Sequence, residues 1–147
     1  MIKKYLMVII FTILLSILFL LTVSADTYYV SMNTSLSKAV FGPNENISLS
    51  GTLNRGTIVS SNLTNHTTLS NANLTLNLSY YNGTIISSYI LNTSIDGKFS
   101  TKSESNPNST TLFAPNSTGS YFLILEYKDP NNSSWKQWLF FSIVQST

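Results

Sequence analysis

The sequence predicts an all-β domain, an antiparallel β-sandwich of seven to nine short strands behind an N-terminal signal peptide. Three observations lead there. Apolar and polar residues alternate with period two in segment after segment. Gly, Pro, Asn and Asp cluster between those segments. No stretch after the first 25 residues has the spacing of an amphipathic helix. A length of 147 residues suits one domain.

Residues 1–25 stand apart. Lys3 and Lys4 give a short positive lead, and Tyr5 to Leu21 is apolar apart from Thr12 and Ser16. Thr22-Val23-Ser24-Ala25 then places small or slim residues at the −3 and −1 positions of a cut after Ala25. That is the layout of a secretory signal peptide. The 17-residue apolar run also meets the lower bound of a membrane span, about 17–25 residues, so a retained anchor fits too. The small-residue end favours cleavage, which would leave the mature protein extracellular and off the membrane. No Cys follows the apolar run and no apolar tail ends the chain, so neither a lipoprotein nor a C-terminal anchor is expected.

Residues 26–36 read as a separate N-terminal strand and 37–147 as the sandwich. Thr27 to Met32 alternates, with Tyr28, Val30 and Met32 on one face. Gly42-Pro43-Asn44 is a turn. Asn46 to Leu53 is the clearest strand, with Ile47, Leu49 and Leu53 inward and Asn46, Ser48, Ser50 and Thr52 outward. Residues 54–72 are polar and read as a long solvated loop, with room for an edge strand at Thr57-Ile58-Val59. Asn73 to Tyr80 alternates again, with Leu74, Leu76, Leu78 and Tyr80 on one face. Asn82-Gly83 signals a two-residue hairpin turn into Thr84 to Leu91. Asp96-Gly97 turns into Lys98 to Thr101, Ser103 to Ser109 is loop, and Thr111-Leu112-Phe113 is a short strand. Gly119 opens Tyr121 to Tyr127, and Asp129-Pro130-Asn131-Asn132 leads into Trp135 to Val144.

Charge is sparse. Loss of Lys3 and Lys4 takes Lys+Arg from 8 to 6, against 6 Asp+Glu, so the mature chain is near neutral. A basic surface for nucleic acid is not supported. Near-zero net charge favours association unless something else keeps the surface wet. There is no Cys, so no disulfide staples the fold.

The hydrophilic coat has a candidate. Asn-X-Ser/Thr sequons begin at Asn33, Asn46, Asn62, Asn65, Asn73, Asn77, Asn82, Asn92, Asn108, Asn116, Asn131 and Asn132. These are twelve of sixteen mature asparagines, where the Ser and Thr content alone would give about five. Covalent N-glycans are the expectation, and a bare Asn-rich polar surface is the alternative. Within predicted strands, Asn46, Asn73 and Asn77 fall on the outward face.

The last two strands are apolar on both faces. Tyr121, Leu123 and Leu125 alternate with Phe122 and Ile124; Leu139, Phe141 and Ile143 alternate with Trp138, Phe140 and Val144. One set builds a core. The other, Phe122, Ile124, Trp138 and Phe140, needs a cover: a loop, the N-terminal strand, or a second copy.

Several segments together resemble the immunoglobulin-like domains of the macroglobulin MG2 and bacterial Ig-like type. They are Phe41 to Ile47, Ser50 to Leu53, Asn71 to Leu76, Asp96 to Ser100 and Ala114 to Tyr121. The resemblance spans about 100 residues and implies an immunoglobulin-like fold without implying an activity. The stretch 54–72 departs from it. A lone, cysteine-free, sequon-rich exported domain also looks like the subunits of archaeal extracellular thread filaments. That resemblance implies donor-strand addition, with Tyr28, Val30 and Met32 entering the next subunit. Pairing of the same strand in cis fits the pattern equally.

Equipment for catalysis is missing from the sequence. His66 is the one histidine, and Asp26, Glu45, Asp96, Glu104, Glu126 and Asp129 are scattered singly. No Gly-x-Ser-x-Gly elbow or phosphate loop occurs. No catalytic residue, metal or cofactor is expected. Trp135, Trp138, Tyr80, Tyr81, Tyr89 and Tyr127 could instead form a carbohydrate-binding face. The expected function is a secreted, non-enzymatic structural protein of the cell surface, assembling with copies of itself or with surface-layer protein. The alternative is a monomeric module that binds a carbohydrate or surface-layer partner.

Overall fold

The computed structural model describes residues 27–59, 62–101, 110–130 and 133–145. The predicted signal peptide, the loop predicted at 103–109 and the sequons at Asn108, Asn131 and Asn132 lie outside the described residues. The strands are β1 (Thr27–Leu36), β2 (Val40–Phe41), β3 (Leu49–Val59), β4 (Asn62–Thr68), β5 (Asn73–Tyr80), β6 (Ile85–Asn92), β7 (Lys98–Ser100), β8 (Gly119–Lys128) and β9 (Ser134–Ile143). One sheet has β3 at its centre, β1 on one side, and β4 and β7 end to end on the other. The second runs β2-β9-β8-β5-β6. Every pairing is antiparallel except the short parallel contact of β2 with β9. This is the predicted immunoglobulin-like sandwich.

The core lies between the sheets, as the alternation requires. Val30, Leu49, Leu53 and Phe99 from the first sheet meet Leu74, Leu76, Leu78, Leu91, Leu123, Leu125, Phe141 and Ile143 from the second. Each fully buried aliphatic side chain contributes about 1.5–3 kcal/mol. Tyr121, near the start of β8, donates its hydroxyl to the Ser117 carbonyl at 2.8 Å, a tyrosine corner of the kind found in such sandwiches. Two buried threonine hydroxyls bond to backbone in place of missing ladder partners. Thr101 Oγ1 accepts from Leu49 N–H and donates to the Ile47 carbonyl. Thr93 Oγ1 accepts from Ala72 N–H and donates to the Leu69 carbonyl. Both are buried, so these bonds replace lost hydration.

Three expectations need correction. Residues 54–72 are not a long loop: β3 continues to Val59 and pairs back with β4 over Asn62–Thr68. His66 therefore stands exposed on a strand, its ring edge-on to Tyr29 with centroids 6.1 Å apart. This hairpin draws stability from its own ladder and from β1, so it needs no run of alternating apolar residues. The Asn82-Gly83 turn has a three-residue loop instead of two. Gly83 N–H bonds the Tyr80 carbonyl, Tyr80 N–H bonds the Thr84 carbonyl, and Gly83 alone there has positive φ, 86°. A type I′ turn needs positive φ at both central residues, and Asn82 does not adopt it. Finally, Thr111-Leu112-Phe113 contributes one bridge, Asn46 to Phe113, instead of a strand.

Candidate functional site

The outer face of the five-stranded sheet gathers the residues predicted as an interface. The register sets them in rows across the strands. One row is Ser88, Asn77, Ile124 and Trp138; the next is Ile85, Ser79, Phe122 and Phe140. On the other side runs Ile90, Thr75, Glu126 and Lys136. Phe122 is the hub. Tyr81, from the hairpin loop, stacks on it at 5.5 Å between centroids, and Trp138 and Phe140 meet it edge to face at 5.5 and 5.8 Å. Such pairs contribute about 0.5–1.5 kcal/mol each beyond burial. The cluster nevertheless stays open to solvent: Tyr81 is 67%, Trp138 54% and Phe140 51% exposed, with Ile124 at 7% beneath them. No described loop covers it. The N-terminal strand lies in the other sheet.

The six aromatic residues considered as a carbohydrate platform do not share one face. Tyr81 and Trp138 belong to the outer cluster. Tyr80 sits at the sheet's end against Tyr121, 5.7 Å between centroids. Tyr89 and Trp135 pack against the core, and Tyr127 is buried in it. Burial first, and nearby Asp129 second, push the Tyr127 hydroxyl above its ordinary pKa, so it stays neutral as a core residue.

Tyr28, Val30 and Met32 alternate along β1, which pairs with β3 of the same chain. Val30 is buried and Met32 packs against the core. Tyr28 anchors the end of β1 in a cluster that sequence reasoning missed. Its hydroxyl donates to Asp129, the Arg55 guanidinium lies 3.9 Å above its ring, and Arg55 also pairs with Asp129 at 3.7 Å. Trp135 packs on both Tyr28 and Tyr127. Tyr28, Arg55 and the segment from Tyr127 to Trp135 are far apart in sequence, and none of them announces the others.

None of the sequon asparagines with described side chains is buried. Asn33, Asn46, Asn73, Asn82, Asn92 and Asn116 are exposed, and Asn77 is half-buried. Asn62 and Asn65 lie on β4. Asn73 and Asn92 are cross-strand partners on the outer face that also holds Asn77. Among the described residues, no three of His, Cys, Asp and Glu gather as a metal site would require. Of the acids, Glu45 closes the Gly42 turn. The Gly42 N–H, 2.7 Å away, and then Lys38 hold its carboxyl below the ordinary value of 4.5.

No protein-family model matches the chain, and no curated protein sequence does. Among solved structures the chain is similar to a crystal structure of a tetra-tandem repeat in the extending region of a large adhesion protein. The TM-score is 0.52 at 15% identity, over 81% of this chain and 25% of that one. The chain thus spans about a quarter of that neighbour's length, and the likeness is one of fold.

Proposed function

We propose that the chain is an exported, N-glycosylated, non-enzymatic module of the cell surface, one that builds or extends a surface structure. The observation that best supports this is the outward placement of its sequons. They occur on both sheets, and none of those with described side chains is buried. A sandwich with so few charges needs another hydrophilic coat, and glycans at these positions would supply it. The similar fold in the extending region of a large adhesion protein fits a role in reach and display.

Assembly with further copies is the second part of the proposal, and open strand edges favour it. Among the described residues β1 is an edge strand, and β9 has a strand on its far side only at Ser142 and Ile143. Strand addition at such edges propagates head to tail without closing. In the donor-strand version, β1 of one copy takes the place beside β3 of the next. Native mass and negative-stain microscopy of protein from its own host test this. They should be compared with a Ser35→Cys/Ser50→Cys variant, since the two serines are exposed cross-strand partners. Exchange of β1 predicts multimers or filaments for the parent and a locked monomer that assembles after reduction. Multimers indifferent to the lock would move assembly to another edge. A glycosylated monomer would leave the alternative, a display or adhesion module acting alone. An unmodified monomer would overturn the reading.

A further inference from the structure

We propose that the aromatic cluster on the outer face is a seat for the chain's own N-glycan, attached at Asn77. This rests on the glycosylation reading above and names an occupant for that face. Asn77 stands directly beside Ile124, and Trp138 lies one strand further, two strand spacings or about 10 Å away. Phe122 is its diagonal neighbour, within reach of a long substituent. The Asn77 carboxamide oxygen accepts a hydrogen bond from Ser88 Oγ at 2.5 Å. That turns the oxygen toward β6 and the nitrogen, where a glycan is joined, toward β8 and β9. A first pyranose there lies over Ile124, against Phe122 and Trp138. Its C–H bonds meet the negative faces of the rings, while its hydroxyls stay at the rim near Glu126 and Lys136.

The same face disfavours a protein cover. Asn73, Asn77 and Asn92 all stand on it. A second copy laid flat would meet all three sequons, whereas a glycan is bonded to one of them. The sequon hydroxyl, Ser79, is fully buried, so transfer to Asn77 must precede folding.

The test uses protein from its own host carrying Trp135→Phe, which leaves Trp138 as the one tryptophan. Glycopeptide analysis should find Asn77 occupied. Acrylamide quenching of Trp138 should be at least about twofold weaker than in the same protein with Asn77→Gln. Asn116→Gln, at an exposed loop sequon, should leave quenching unchanged. If Asn77 is occupied and Asn77→Gln changes nothing, the seat is wrong and the glycan coat stands. The seat is equally wrong if Asn77 is empty while other sequons are filled. Empty sequons throughout would overturn both readings. Quenching that depends on protein concentration, together with a dimer mass and indifference to Asn77→Gln, would give the face to a second copy and overturn the proposal.

Discussion

At Gly51 the two neighbouring strands leave no room for a side chain. A Cβ there would lie 2.4 Å from the Asn33 carbonyl oxygen and 2.5 Å from the Phe99 ring. Phe99, its cross-strand partner on β7, fills that space and covers the bare backbone. Gly51→Ala should therefore destabilise the fold by about 1–3 kcal/mol through overpacking, read as a lower midpoint in urea with an unchanged slope. An unchanged midpoint would mean that both the Phe99 ring and the β1 backbone at Asn33 give way without cost. The Tyr28, Arg55 and Asp129 cluster is also residue-scale physics. Asp129 is buried, and a buried carboxylate is tolerated because it is paired and hydrogen-bonded.

At the scale of elements, the β5–β6 hairpin separates backbone cost from packing cost. A Cβ on Gly83 would meet nothing within 4 Å, yet φ is 86°. Gly83→Ala should cost about 1–2 kcal/mol from backbone conformation alone, and Gly83→Asn should recover part of it. Thermal unfolding of the pair checks this; equal losses for Ala and Asn would contradict it. Hairpins of this kind were legible because half-buried strands must alternate. Leu74, Leu76 and Leu78 could face only one way, and Phe122, Ile124, Trp138 and Phe140 were left over by the same rule. The β3–β4 hairpin was not legible. Its stability comes from ladder bonds and from β1, neither of which leaves a periodic mark among Ser, Thr and Asn. The three-residue turn at Asn82-Gly83 was missed for a different reason. The dipeptide names the residues a tight turn tolerates and leaves open which of them takes positive φ.

For the whole molecule, two features of composition find one physical reading. Residues 26–147 carry six Lys and Arg against six Asp and Glu, yet none of the sequon asparagines with described side chains, on either sheet, is buried. Glycans on those positions would take over the role of surface charge and would hide the exposed aromatic rings from other molecules. How Asn77 sits beside those rings could not be read from sequence, because it depends on the register of β5 with β8 and β9. That the rings would need a cover could be read directly. The measurement that tests the account most directly is the intact mass and glycopeptide map of the protein released by its own host. The account predicts a chain beginning at Asp26, with glycans on outward asparagines including Asn33, Asn73 and Asn77. An unmodified chain, or one that retains residues 1–25, would contradict it.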